Sequence, residues 1–124
     1  MTPGRPCCPT RFVGSALTVL HALGTGFGEK LYENALVHEL RAAGLYAAQQ
    51  HRIVVRYKAI VVGDYAADLL VEDTVLVELK ATRALDEVHR AQCMNYLKAS
   101  GLHLCLLLNF GTTRLDIKRI VLGP

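Results

Sequence analysis

Asp68-Leu69-Leu70-Val71-Glu72-Asp73-Thr74-Val75-Leu76-Val77-Glu78-Leu79-Lys80 consists of two runs of branched apolar residues divided by a polar triplet. That pattern predicts two antiparallel strands joined by a short loop. A three-residue loop at Glu72, Asp73 and Thr74 pairs Val71 with Val75, and counting outward sets Asp68 opposite Glu78. Side chains alternate along a strand, so Glu78 and Lys80 share a face. Opposed carboxylates destabilise a sheet. The pairing therefore asks for a compensating charge, and a divalent cation held by oxygen ligands is the simplest one. Lys80 stands beside that position, able to hold a water or a phosphate oxygen.

Outward from the hairpin, residues 1–11 read as a disordered leader, with three prolines and little to bury. From Phe12 to Leu23 apolar residues recur at helical spacing. Gly24-Thr25-Gly26 breaks that helix, and Thr25 is the expected N-cap of a second one running from about Phe27 to Ala43, before Gly44. His51 to Tyr57 reads as a strand, Lys58-Ala59 as a turn, and Ile60 to Leu70 as a strand bent near Gly63. Thr74 to Ala81 is the third strand, and Thr82 to Ser100 is expected to be helical. The nearly continuous apolar run Leu102 to Asn109 suits a strand covered on both faces. Leu115 to Val121 alternates and closes the chain. The resulting fold class is α/β, with an α-β-β-β-α-β core, a mixed sheet flanked by helices, and one domain over residues 12–124.

On the second helix Glu29, Tyr32, Glu33, Leu36 and Leu40 fall on one side. Two readings stand for the acids. They lie at the stripe's exposed N-terminal end, where the helix dipole favours them, or that end overlooks the hairpin's carboxylates. On the later helix His89, Gln92, Cys93 and Tyr96 share a face at i, i+3, i+4 and i+7. An isolated helix of this kind would carry Tyr96 in the core and solvate His89 and Gln92. The histidines at 21, 38, 51 and 103 show no metal-ligand spacing.

The chain has 124 residues, a formal net charge of +3 and a pI near 8.8. That balance permits nucleic-acid binding without arguing for it. No apolar run spans a bilayer, and the N-terminus lacks the apolar core of a signal peptide. The expectation is a cytoplasmic protein with no membrane partner. Four cysteines (7, 8, 93 and 105) form no CxxC pair, so they read as reduced, mostly buried thiols.

Asp68 followed by Glu78-x-Lys80 resembles the PD-(D/E)XK nuclease superfamily. Gly26-Phe27-Gly28-Glu29-Lys30-Leu31-Tyr32 is similar to the GxxExxY signature of a small prokaryotic family within it, and Gln92-Cys93-Met94-Asn95-Tyr96 to the QxxxY element of RecB-like nucleases. Ala67 stands where the superfamily's proline would be. The resemblance implies a restriction-endonuclease-like core and metal-dependent hydrolysis of phosphodiester bonds, most simply in DNA, by a protein able to form a homodimer. It implies Mg²⁺ or Mn²⁺ held by Asp68, Glu78 and the backbone carbonyl of Leu79, with Glu29 or Glu33 completing the shell. Glu29 is favoured because it is the signature's glutamate. Lys80 would orient the attacking water, and Gln92 and Tyr96 would border the site and help place Lys80. Two other readings compete: a non-cleaving nucleic-acid-binding domain of the same fold, and a partner-binding domain whose hairpin acids are surface charge. Metal binding separates the last from the others.

Overall fold

The predicted hairpin forms with the loop it requires. In the computed structural model, which describes residues 9–123, Glu72 and Asp73 both take left-handed backbone angles, and the Thr74 N–H donates to the Val71 carbonyl. Val71 therefore pairs with Val75, and Leu69 with Val77. Around this hairpin the elements follow as α1 (Pro9–Leu23), α2 (Glu29–Ala42), β1 (Ala47–Tyr57), β2 (Ile60–Val71), β3 (Val75–Lys80), α3 (Glu87–Ser100), β4 (Leu104–Asn109) and β5 (Asp116–Val121). The five strands make one mixed sheet in sequence order, with β3 parallel to β4 and every other pair antiparallel.

The sheet carries a core on each face. Phe12, Ala16 and Leu20 of α1 and Tyr32, Leu36 and Leu40 of α2 pack on Leu69, Val77, Leu79, Leu106 and Leu108. On the other face Cys93, Tyr96 and Leu97 of α3 pack on Leu70, Leu76, Cys105 and Leu107. Strands β3 and β4 sit between both layers, which explains their unbroken apolar runs. A parallel pair needs a crossover, and α3 provides it.

Several boundaries differ from those expected, each for a local reason. Pro9 to Arg11 belong to α1, and Arg11 donates to the Ala43 carbonyl at 2.9 Å. Residues 9–11 therefore fall in a helix rather than in a disordered leader, and the rest of that expectation, residues 1–8 with Cys7 and Cys8, lies outside the described residues. The N-cap of α2 is Gly28, not Thr25, and it makes no side-chain capping bond. Strand β1 begins four residues earlier, at Ala47. Helix α3 begins at Glu87 rather than Thr82 because the backbone of Thr82 is bonded at both its N–H and its C=O to the side chain of Asn109. Asp86 then caps α3, accepting from the N–H groups of Val88 and His89, while His89 Nδ1 accepts from the Asp86 N–H. His89 is thereby a capping residue. Cys93 and Cys105 are free, buried thiols.

Candidate active site

The β2–β3 ladder ends at Leu69 and Val77. One step further along, the side chain of Asp68 takes over from the main chain: its Oδ2 accepts the Leu79 N–H at 2.8 Å. A slip in the pleat makes this possible. Leu69 and Val71 face α1 and α2, whereas Ala67 and Leu70 both belong to the core under α3. Residues 67 and 70 are three apart, so strict alternation fails once between them, and Asp68 turns into the gap between the strands. The neighbouring strand does the same. Ala47 faces the first core and Ile53 the second, and between them Gln50, in register with Asp68, has φ of 53°. Left-handed backbone on a non-glycine residue inside a strand costs roughly 1–3 kcal/mol and clusters at functional sites.

Glu78 lies opposite Asp68 and is buried, the one charged residue in an otherwise apolar stretch of β3 before Lys80. Burial, then the hydrogen bond to Asp68 and its negative charge, push the Glu78 carboxyl up to about 9, against the opposing pull of Lys80. Without a cation the Glu78 carboxyl is therefore held protonated at neutral pH. The Tyr96 hydroxyl is pushed up to about 12, first by burial and then by the charges of Glu78 and Asp68, so it remains a neutral donor. The Lys80 ammonium donates to Gln92 Oε1 at 3.3 Å, bringing α3 to the strand end. The Lys80 carbonyl accepts from Phe110 on the β4 side. Carbonyl directions alternate along a strand, so that of Leu79 faces the gap occupied by Asp68.

The two helix-borne acids separate. Glu29 is exposed in the first turn of α2 and bonds to no described side chain. Glu33 is buried. Its Oε2 accepts from Gln49 at 2.8 Å and Lys30 at 3.0 Å, and its Oε1 accepts from Gln50 at 3.0 Å. The same Gln50 amide reaches Asp68 Oδ1 at 3.5 Å. Glu33 thus adjoins Asp68 through Gln50, while Glu29 sits where the helix dipole accounts for it. The other signature residues shape the approach to α2. Gly26 turns at φ of 107°. The Tyr32 hydroxyl donates to the Gly24 carbonyl at 2.5 Å and accepts from the Phe27 N–H, while its ring stacks on Phe110 at 4.9 Å.

Three site-shaping residues escaped the sequence reading. Gln49 and Gln50 fell before the expected start of β1, and their only signal is a pair of amides leading into a strand. Asn109 looked like the polar end of an apolar run. It is buried, and its side chain holds the Thr82 N–H at 3.0 Å, the Thr82 carbonyl at 2.9 Å and the Gly111 N–H at 2.9 Å. It thereby anchors the chain two residues beyond Lys80.

The donor set suits a hard cation. Two carboxylates in mutual contact and a backbone carbonyl are the kind of partial oxygen shell that Mg²⁺ or Mn²⁺ completes with water and substrate phosphate. No cluster of three His, Cys, Asp or Glu side chains able to hold a metal forms among the described residues.

A sequence model described as the PD-(D/E)XK nuclease superfamily matches residues 9–120. Among solved structures, an alkaline exonuclease from Laribacter hongkongensis superimposes with a TM-score of 0.58 at 15% identity, over 96% of this chain and 73% of that one. The structure of SSO0001 gives a TM-score of 0.58 at 15% identity, over 93% of this chain and 60% of that one. At such identity these likenesses speak to fold. No curated protein matches the chain significantly. No helix among the described residues is long and apolar enough to cross a membrane.

Proposed function

Because the chain belongs to the PD-(D/E)XK nuclease superfamily, we propose that it is a divalent-metal-dependent nuclease that hydrolyses phosphodiester bonds in DNA. The observation that carries this reading is the Asp68–Glu78 acid pair, a buried Glu78 carboxyl hydrogen-bonded to a half-buried Asp68, with Lys80 two residues along the same strand. A sheet that only needed to fold would gain by replacing either acid with an apolar residue.

Asp68, Glu78 and the Leu79 carbonyl are the proposed ligands. When bound there, Mg²⁺ or Mn²⁺ would supply positive charge to the phosphate and acidify the attacking water. The chain's own groups do the rest. Lys80 holds the attacking water and faces the charge that develops on the phosphate oxygens. Gln92 orients the Lys80 ammonium through its 3.3 Å hydrogen bond. Glu33 acts at one remove: it receives the Gln50 amide, whose other contact is Asp68. That chain keeps Asp68 turned into the gap. Tyr96 closes the α3 side with a neutral hydroxyl. Glu29, the signature's acid, would have to act from an exposed position, so we assign the helix-borne role to Glu33.

Membership of the GxxExxY group is supported by Gly26, Glu29 and Tyr32 at the signature spacing. A cytoplasmic location and a homodimer complete the reading. The alternative, a non-cleaving nucleic-acid-binding domain, is favoured by one observation: only two acidic side chains converge, with no third among the described residues. Incubating the protein with plasmid, single-stranded DNA and RNA, each with Mg²⁺, Mn²⁺ or EDTA, decides between them. Metal-dependent loss of DNA supports the nuclease. Binding of Mg²⁺ and DNA with every substrate left intact supports the alternative.

A further inference from the structure

Resting on the nuclease reading, the groove beside the acid pair extends it to the form of the substrate. The β1–β2 ladder continues out to Tyr57 and Ile60, far beyond the last pair that β2 makes with β3. Over that outer half the hairpin faces α3 across open space. Two cavities of about 570 and 340 Å³ lie there. They share Val55, Tyr65 and Asn95, so they form one trough. The inner end is lined by Gln92, which holds Lys80. The outer end is lined by Arg56 and Lys98.

The lining contains no carboxylate. Neither Arg56 nor Lys98 has an acidic partner among the described residues, whereas Arg52 on the same hairpin is neutralised by Asp64 at 2.7 Å. The trough thus presents two free cations beyond an aromatic ring. Tyr65 is 52% exposed, and its ring lies 5.8 Å from that of Tyr96. Gly63 makes room for it: a Cβ there would meet the Tyr65 ring at 3.2 Å and the Val55 Cβ at 3.5 Å. The ring therefore rests back across its own strand, over a position with no side chain.

We propose that this trough seats the single-stranded part of a nucleic-acid substrate, with one base stacked on Tyr65 and the adjoining phosphates on Arg56 and Lys98. A positive track with an aromatic platform is how proteins hold unpaired strands without regard to sequence. A single exposed ring at Tyr65 can stack only on a base that is not already stacked within a duplex. The inner end is lined by Gln92, which accepts from Lys80, so a strand lying in the trough delivers a phosphate towards the acid pair.

The test is binding of a fluorescein-labelled, mixed-sequence DNA single strand and of its blunt duplex to the full chain in EDTA, followed by cleavage of both in Mg²⁺. Tyr65→Ala should weaken single-strand binding roughly tenfold to a hundredfold, and Tyr65→Phe should restore it. The pair R56Q and K98Q should lower the salt slope of single-strand binding by about 1.4, the value for two lost phosphate contacts. Gly63→Ala should weaken single-strand binding with Tyr65 still present. Thermal melting checks that each variant folds. If the folded variants bind single strands as wild type does, the trough is not the track. If wild type prefers the blunt duplex, or if R56Q with K98Q instead dissociates a dimer in sedimentation, the proposal is likewise overturned. The nuclease reading fails separately: wild type that binds single strands through Tyr65 but cuts nothing in Mg²⁺ keeps the trough and loses the catalysis.

Discussion

At the scale of single residues, the acid pair is a built-in conflict. Glu78 ionises near 4.5 in the unfolded chain and at about 9 in the folded one. Between those values the folded state binds more protons than the unfolded state. Stability of the metal-free protein should therefore fall as pH rises across that window, by at most about 1.4 kcal/mol per pH unit. Urea unfolding in EDTA at pH 5, 7 and 9 measures this, and Glu78→Gln should flatten the dependence. Lys80 pulls the other way, so Lys80→Ala should extend the decline to higher pH. Both acids remain in that variant, and Mg²⁺ should still bind, by calorimetry, while hydrolysis falls by roughly a hundredfold or more. Glu78→Ala should lose hydrolysis to a similar degree, and in EDTA its melting temperature relative to wild type should rise as pH passes about 9, where the wild-type Glu78 ionises beside Asp68 and the variant avoids that repulsion.

At the scale of elements, the strand end carrying Lys80 is anchored from β4 and from the loop that follows it. Asn109 satisfies both backbone groups of Thr82, and Gly111 lies so close that a Cβ would fall 2.1 Å from the Thr82 carbonyl oxygen. Gly111→Ala must push the two loops apart. We expect a loss of about 2 kcal/mol or more in urea unfolding, with cleavage falling even at temperatures where the protein remains folded, because Lys80 lies two residues upstream. Asp86 offers the contrast. It caps α3 from an exposed position and, among the described residues, hydrogen-bonds only within that helix's first turn, so Asp86→Ala should cost about 1 kcal/mol and leave the cleavage rate of folded protein unchanged. The two variants together separate loss of stability from displacement of the site.

At the scale of the whole molecule, a cation would connect what the sheet alone holds apart. Held by Asp68 and Glu78, it would bind only when β2 and β3 are paired, and it would then stabilise the folded state by mass action, by about 2.7 kcal/mol at a concentration one hundred times its dissociation constant. The melting temperature of wild type should rise with Mg²⁺, and that of Glu78→Ala should not. A rise of equal size in both would place the ion elsewhere on the surface.

How much of this was legible in the sequence follows from which forces are local. Loop length and strand alternation depend on neighbours along the chain, so the three-residue turn, the Asp68–Glu78 opposition and the order of helices and strands could be read from residues 68–80 and their flanks. The mixed sheet followed too, because a 14-residue helix between β3 and β4 permits a parallel crossover and a short turn does not. Side chains that act across the fold could not be read this way. Nothing beside Glu29 or Glu33 in the sequence says which one turns inward. The choice was made by Gln49 and Gln50, sixteen and seventeen residues after Glu33, whose amides hold its carboxylate. Nor could the start of α3 be placed, since Thr82 is kept from the helix by Asn109, twenty-seven residues away. The slip in the pleat at Asp68 is the clearest case. It needs Gln50 in left-handed backbone on the adjacent strand, and a strained angle persists only where packing on both faces of the sheet leaves the chain no alternative. The sequence by itself determined which residues could oppose one another; the tertiary structure decided which of them turn into the gap, because only there do two cores and two strands act on the same backbone.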